Sequence, residues 1–480
     1  MAPRTGDGMA LWKRLIPLAL AVTAIAPAFA PLAAKADTRP NVVIIMTDDQ
    51  RWDTVTPQYM PRLSGILANN PSVTYTNSFV PNTLCCPSRT STLTGDYSHT
   101  TGVYSNSGQW GGFWSFTAPP YGDAISPIND TTTMAVDMHA AGYRTALIGK
   151  YLNGYPSKDN YGYVPPGWNE WFSVGTGKYY RYHATNGRSL IQYGSAAKDY
   201  ITRVLAAKAT RFITASTDPF FLYYATTAPH GPSIPDPRDV GRFNLSGFTQ
   251  PPSFGKVEDG APSYIANLPW DASHVQADNA FHLNQLDSTY GVDRSIGQIW
   301  KVLPDNTIVL FMSDNGLMWG EHRWLGKLVP YNSSIRVPIR IVGKNLTNLL
   351  PVTGIDPRIV LNIDVLPTLE GYAGVTSGHV PEGSDMFTSS RSDFVLEHSF
   401  LGLVPTYCGV RSADWMYVRY NKFEEPVKEG LYDENTDPWE MDNLAVTDPA
   451  DPELRVMRDR AVTLCQADGG IYPNDWPFQG

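Results

Sequence analysis

The residues of this chain able to do chemistry fall in short clusters. Cys85-Cys86-Pro87-Ser88-Arg89 runs on through Thr90-Ser91-Thr92 to Leu93-Thr94-Gly95, the register C-x-P-S-R-x-x-x-L-T-G. Seven fixed residues over eleven positions do not arise readily by chance. Thr47-Asp48-Asp49-Gln50 and Ser313-Asp314-Asn315-Gly316 supply three carboxylates and an amide. Such oxygen donors suit a hard divalent cation, and no Cys/His spacing suggests zinc. Gly149-Lys150-Tyr151 and Ala228-Pro229-His230-Gly231-Pro232 add a cation and an imidazole. Each cluster alone has a plainer reading. Cysteine is commonly buried and Ser88 would cap a helix. Paired aspartates after a strand form a turn or cap, and Asp-Asn-Gly is a common turn.

The segments ahead of these clusters are alike. Asn41 to Met46, Arg144 to Ile148, Phe220 to Ala225 and Thr307 to Met312 are apolar, β-branched or aromatic runs that break off into polar residues. Continuous apolar runs of this length predict strands covered on both faces. Helical stretches between them, such as Tyr200–Ala215, predict crossovers and therefore an α/β fold. In such sheets ligands bind beyond the carboxyl ends of the strands, so clusters far apart in sequence converge on one pocket.

The motif and the clusters together resemble the type I sulfatases. That resemblance implies that a formylglycine-generating enzyme oxidises Cys85 to Cα-formylglycine. One hydroxyl of its hydrate attacks sulfur, and deprotonation of the other expels sulfate by C–O cleavage. It also places Asp48, Asp49, Asp314 and Asn315, with the hydrate at 85, around a calcium ion. Arg89 would orient the hydrate. Lys150, His230 and Lys327 would bind sulfate and transfer protons, putting positive charge where sulfate needs it. His322, five residues before Lys327, is a further candidate for substrate binding, and His99 for the pocket. The implied fold is alkaline-phosphatase-like: a large mixed, mainly parallel sheet sandwiched by helices, with a smaller C-terminal α+β domain.

The resemblance runs from Asn41 to about Leu444 and takes in Arg336-Val337-Pro338, Asn362 to Thr368 and Leu431-Tyr432-Asp433. Gly149 to Asn153, the Cys-Cys form of the motif and Val164 to Trp168 are most similar to the glucosamine-6-sulfatase and extracellular sulfatase branch. Two positions depart. Leu152 stands where many arylsulfatases have histidine, and Asn332 follows Tyr331 where the family often has glutamate.

Composition bounds the rest. A net charge of −9 over 480 residues argues against nucleic acid or an anionic membrane as the main partner. Lys13 and Arg14 precede an apolar run from Leu15 to Ala30, with Ala34-Lys35-Ala36 as a small-residue cleavage site. This predicts a signal peptide over 1–36 and a secreted or cell-envelope protein; Met9 is an alternative start. The run is short for a membrane span, so no stable membrane insertion is expected, an uncleaved anchor being the alternative. Four cysteines are too few for a disulfide framework. With Cys85 modified, Cys408 and Cys465 remain as a pair or as two buried thiols.

A catalytic domain is expected over 37–385. A small domain over 386–480 should hold an antiparallel sheet and a helix near Pro452–Ala467, the boundary lying in the polar stretch Gly383 to Ser392. Trp110, Trp114, Trp168 and Trp171 either stack on sugar rings at a pocket rim or pack in the core. The expected activity is hydrolysis of sulfate monoesters, aryl sulfates or sulfated sugars. The alternatives are a phosphonate or phosphate ester hydrolase on the same fold, and a carbohydrate-binding protein that keeps Cys85 a thiol. The full set of charged site residues argues against the last.

Overall fold

Residues 41–47 alternate between two apolar cores. Val42, Ile44 and Met46 face one, Val43 and Ile45 the other, and the exposure of each is at most 1%. A strand covered on both faces must be apolar throughout, which is why the run shows no alternation. The computed structural model describes residues 38–217, 219–245, 249–421 and 428–478. The expected signal peptide lies outside the described residues.

The strands are β1 (Asn41–Thr47), β2 (Ser72–Phe79), β3 (Arg144–Lys150), β4 (Glu170–Val174), β5 (His183–Thr185), β6 (Leu190–Gln192), β7 (Phe220–Ala225) and β8 (Thr307–Ser313). After them come β9 (Met318–Trp319), β10 (Leu325–Gly326), β11 (Ile339–Lys344) and β12 (Gly354–Leu361). The last four are β13 (Asp393–His398), β14 (Tyr407–Ser412), β15 (Trp415–Tyr420) and β16 (Glu429–Asp433). The large sheet has the order β12-β2-β11-β8-β1-β7-β3-β4-β5-β6. Strands β8, β1, β7, β3 and β4 run parallel. β11 is antiparallel to β8 and β2, and β5 is antiparallel to β4 and β6. The four strands expected from sequence are thus immediate neighbours, β8-β1-β7-β3. A separate antiparallel meander, β13 to β16, lies near the C-terminus.

Helices cover both faces. Leu205, Ala209 and Phe212 of helix Ile201–Thr214 and Val292, Ile296 and Ile299 of helix Ala272–Val302 pack with Val43, Leu222 and Phe311. Met134 and Met138, Leu93, and Leu366 and Leu369 cover the other face. Each large apolar side chain buried in this way contributes roughly 1.5–3 kcal/mol, so a charged residue at Ile44 would disrupt the centre of the sheet. Gly149 marks a closer approach. Its φ is 134°, and a Cβ there would stand 1.7 Å from the Ala225 carbonyl oxygen. Only glycine lets β3 meet β7 one residue before Lys150.

Phe394, Leu396, Tyr407 and Tyr420 of the small sheet share a core with Phe79 and Leu361 of the large one and with Ile363 just after β12. A disulfide joins Cys408 on β14 to Cys465, which caps helix Pro452–Leu464. Trp171 is a core residue, and half-buried Trp168 packs against that core, stacking on Phe221 at 5.7 Å. Trp110 packs edge-on against Tyr104, and Trp114 is 40% exposed. Among the described residues no helix is long and apolar enough to cross a membrane.

Candidate active site

Four parallel strand ends deliver the polar clusters to one place. Asp48 and Asp49 follow β1, Lys150 ends β3, His230 follows β7, and Asp314 and Asn315 follow β8. Asp49 turns the chain at φ 62°, giving its N–H to Asp314 Oδ1 at 3.1 Å, while Gln50 gives its own to Ser313 Oγ at 2.9 Å. Cys85 opens the helix Cys85–Thr94, all of whose residues are buried. Extended Leu84 precedes it, and Gly95 ends it at φ 80°. Ser88 is therefore inside the helix rather than its cap: its N–H bonds to the Leu84 carbonyl at 3.0 Å, and its Oγ accepts from Asn362 Nδ2 at 3.1 Å.

Cys85 Sγ accepts from Lys327 Nζ at 2.9 Å and lies 3.6 Å from Asp48 Oδ1. Lys327 also donates to Asn315 Oδ1 at 3.2 Å and to Asp49 Oδ1. Lys150 Nζ donates to Asp48 Oδ2 at 2.6 Å, and both side chains are fully buried. Arg89 grips Asp314 Oδ2 with Nε at 2.9 Å and with a terminal nitrogen at 2.8 Å. It also donates to the Lys150 carbonyl at 3.1 Å and stands 3.8 Å from Asp48. His230 Nδ1 donates to the Gly231 carbonyl at 2.6 Å, which leaves Nε2 facing Asp49 Oδ2 at 3.7 Å. Lys327 is held from its neighbour: Leu328 gives its N–H to Thr83 Oγ1 at 3.1 Å and accepts at its carbonyl from Tyr407 at 3.0 Å.

The protonation pattern follows from burial and pairing. Burial alone would raise Asp48, but Lys150, with His230 and Arg89, outweighs it and holds the carboxyl well below the usual range. Burial would likewise neutralise Lys150, and Asp48 reverses that. At Cys85 burial wins, pushing the thiol up despite Lys150 and Lys327. Cys86 is pushed up to about 12 by burial and by Cys85, and its Sγ accepts from the Asn153 N–H at 3.1 Å. Neither thiol is a ready nucleophile, because the thiolate is the reactive form. Three carboxylates (Asp48, Asp49, Asp314) stand against three cations (Arg89, Lys150, Lys327), so the ring is electrically balanced.

Ligand atoms of Asp48, Asp49, Cys85 and His230 all lie within 4.8 Å of one another, a group able to hold a metal ion. The expected set had Asp314 and Asn315 and lacked His230. Here Asp314 is turned to Arg89 and to the Asp49 N–H, while Asn315 donates to Asp49 Oδ1 at 2.8 Å.

Two candidate histidines are engaged elsewhere. His322 bonds Glu258 through Nδ1 at 2.8 Å and stacks on Tyr331 at 4.1 Å, outside the hydrogen bonds around Cys85. His99 sits between Glu397 at 3.0 Å and Glu382 at 3.4 Å, tying the segment after the motif to β13. Leu152 is fully buried in the apolar core. Asn332 gives its N–H to Glu440 at 2.7 Å and its side-chain amide to Glu434. A glutamate at 332 would make a third carboxylate there, beside two whose pKa burial already raises.

Sequence reasoning missed the supports. Asn106 Oδ1 accepts from the Cys86 N–H at 2.8 Å, and Gln285 donates to the Asp49 and Pro229 carbonyls at 3.4 and 3.3 Å. Thr83, Asn106 and Gln285 are lone polar residues outside any motif, so no spacing singled them out, and Asn153 lay at the end of the Gly149 to Asn153 segment without a role of its own.

Known proteins with this architecture are many. Human N-acetylglucosamine-6-sulfatase is 29% identical over 486 residues, 90% of this chain and 85% of that protein. The Drosophila melanogaster extracellular sulfatase SULF-1 homolog is 29% identical over 362 residues, 72% of this chain and 31% of that protein. The chain spans under half the length of the extracellular sulfatase homologs of Caenorhabditis elegans and Drosophila melanogaster that it matches. The structure of BT4656 with its substrate D-glucosamine-2-N,6-O-disulfate superposes with a TM-score of 0.71 at 21% identity, covering 88% of this chain and 97% of that one. The phosphonate monoester hydrolase of Agrobacterium radiobacter does so at 0.66 and 18%, covering 88% and 96%. At those identities the superpositions speak for the alkaline-phosphatase-like fold alone. The family model described as Sulfatase matches residues 40–375, from the start of β1 through the last helix covering the large sheet. That match takes in every residue of the ring around Cys85, and the chain belongs to the Sulfatase family of sulfuric ester hydrolases.

Proposed function

We propose that this chain is an exported sulfatase that hydrolyses sulfate monoesters of sugars, using a formylglycine made from Cys85 and a calcium ion. One observation carries the reading: a thiol at the start of the motif helix, in contact with Lys327 and Asp48, that burial keeps protonated. A cysteine nucleophile needs its pKa lowered. This one has it raised, so oxidation to a hydrate is what makes the position reactive. Sγ marks where a hydroxyl oxygen of that hydrate would sit. With oxygen there, the donors of Asp48, Asp49 and position 85 become a set suited to calcium.

A calcium ion held there would supply a Lewis acid that lowers the pKa of the attacking hydroxyl, and the hydrate would supply one hydroxyl to attack sulfur and a second whose deprotonation releases sulfate by C–O cleavage. The side chains do the rest. Asp48 and Asp49 would hold the ion, with Asp314 fixed beside them by Arg89. Lys150 and Lys327 balance charge on the sulfate oxygens. His230 has Nδ1 committed to Gly231, so Nε2 is the atom that gives a proton to the leaving oxygen.

The names of the relatives support a sugar as the sulfated group. The Cys408–Cys465 disulfide and the signal-like N-terminus support export.

The test is mass analysis of the peptide around position 85, paired with steady-state rates on matched sulfate, phosphonate and phosphate esters before and after chelation. We expect an aldehyde at 85, loss of turnover on chelation, recovery with calcium, and preference for the sulfate. Full activity with an intact Cys85 thiol overturns the reading; preference for the phosphonate replaces it with a phosphonate hydrolase.

A further inference from the structure

Strands β1 and β7 run parallel and lead into the loops that carry Asp49 and His230. Beyond the strands the Asp48 N–H still reaches across, donating to the Ala228 carbonyl at 3.4 Å. The next residue on one side is Asp49, and on the other Pro229, which has no N–H to give. A side chain supplies the bridge instead. Gln285, on the helix Ala272–Val302, donates from Nε2 to the Asp49 carbonyl at 3.4 Å and to the Pro229 carbonyl at 3.3 Å. A primary amide nitrogen carries two hydrogens, so one group can serve both. Ser233 Oγ is a second donor to the Pro229 carbonyl.

The far end of the same carboxamide fixes its direction. Gln285 Oε1 accepts from the indole Nε1 of Trp319. An indole N–H only donates and a backbone carbonyl only accepts, so an amide turned the other way would be mismatched at both ends. Trp319 is held in turn. Its ring stacks on His282 at 3.5 Å, the Arg51 guanidinium stands 4.4 Å from the ring centre, and its backbone N–H goes to Glu321, which also accepts from Arg51. Gln285 and Trp319 are both buried, so protein groups rather than bulk water must satisfy their polar atoms.

We propose that Gln285 is a positioning residue. Its amide sets the spacing of the two loops, and with it the 3.7 Å between His230 Nε2 and Asp49 Oδ2, while Trp319 keeps the donor end turned to the two carbonyls. The inference rests on the sulfatase reading of the Cys85 site, in which Asp49 would help to hold the ion and His230 would give a proton to the leaving oxygen. Gln285 acts through both residues by way of their backbones. Partners one layer out from a metal ligand typically govern metal affinity or activity by ~10–100-fold.

Two variants test it on the full chain with Cys85 oxidised. Gln285→Met keeps most of the volume and removes donor and acceptor alike. Trp319→Phe keeps an aromatic ring beside His282 and Arg51 and removes the indole N–H. At saturating calcium, Gln285→Met should lower kcat on a sugar 6-sulfate ~10–100-fold with little change in KM, and much less on a nitrophenyl sulfate, whose leaving group needs no proton. On top of His230→Ala it should cost little more with the sugar sulfate, because both changes act on one proton transfer. Calorimetric titration of the metal-free proteins with calcium, which needs no turnover, should show an affinity about tenfold weaker in Gln285→Met. Trp319→Phe should move each quantity the same way by less. Wild-type kinetics and calcium affinity in Gln285→Met overturn the proposal. So do equal losses on both esters that add fully to His230→Ala with calcium affinity unchanged, which would leave Gln285 a structural role only. A wild type that binds no calcium and turns over no sulfate ester overturns the reading of the Cys85 site instead.

Discussion

Asp48→Asn is the change the site is least able to absorb. Asp48 and Lys150 are fully buried and 2.6 Å apart, and Arg89 stands 3.8 Å from the same carboxylate oxygen. At an effective dielectric of ~20, unit charges at these separations attract by about 6 and about 4 kcal/mol. The two ways of breaking the pair are therefore unequal. Lys150→Met leaves Asp48 with Arg89 still beside it. Asp48→Asn leaves an ammonium whose one hydrogen bond among the described residues was to that carboxylate. Stranding one member of a buried pair costs about 3–5 kcal/mol, so we place Lys150→Met near the lower figure and Asp48→Asn near the upper. The double variant should cost about 5 kcal/mol rather than the sum, a coupling of about 3 kcal/mol. Denaturant unfolding of the four chelator-treated proteins measures it. A coupling below ~0.5 kcal/mol, or Lys150→Met as the more damaging single change, refutes the reasoning.

Other expectations follow from the same geometry. His230→Ala should slow alkyl sulfates, whose leaving oxygen needs a proton, ~10²–10⁴-fold more than a nitrophenyl sulfate; equal losses would make His230 a sulfate-binding residue. Replacing Cys408 and Cys465 by alanine opens a loop of 57 residues and should cost about 4 kcal/mol in the chain-entropy model, read as a lower denaturant midpoint. An unchanged midpoint would refute it. Burial would lower His99, but Glu397 and Glu382 lift it from 6.5 to about 10. Its contribution is full below pH 6.5 and is lost as pH rises towards 10, so wild type and His99→Gln should converge in melting temperature across that window. Parallel curves would show that the ion pairs carry no linkage.

The centre of the fold was legible because burial on both faces erases everything but apolar residues. Val42 to Met46 and Phe220 to Ala225 announce themselves, and the polar residues after them lie where a parallel sheet gathers its strand ends. Helix Ala272–Val302 gave no such signal. It buries Asp278, Gln285, Asp287, Ser288 and Asp293 among its apolar residues, which blurs the amphipathic stripe. Strand β2, with Thr74, Thr76 and Asn77 on a partly exposed strand near the sheet edge, lacks the apolar run that marked the others. Within the site, Cys85, Arg89, Lys150 and His230 were singled out by the resemblance to the type I sulfatases, since each residue alone had a plainer reading. Which partner each side chain meets depends on backbone turns such as the positive φ at Asp49 and Leu328, and sequence does not display those. His322 shows the limit: five residues from Lys327, its ring is turned to Glu258 by its own positive φ of 51°.

The complete burial of Cys85 has a consequence in time. Under the proposed reading an enzyme has to reach the thiol, and in the folded chain the thiol opens a helix with no exposed side chain. Under that reading, oxidation at 85 has to come before closure. The strand that leads into Asp48 pairs with β8 as far as Ser313, more than two hundred residues beyond the cysteine. At ~5–20 residues per second the ribosome takes roughly 10–45 s to cover that stretch. During that interval the thiol is in the nascent chain while the sheet that will bury it lacks a central strand. On the proposed mechanism a chain that closed unmodified would be folded and inert, and the fraction of active molecules would record a race between synthesis and oxidation rather than an equilibrium.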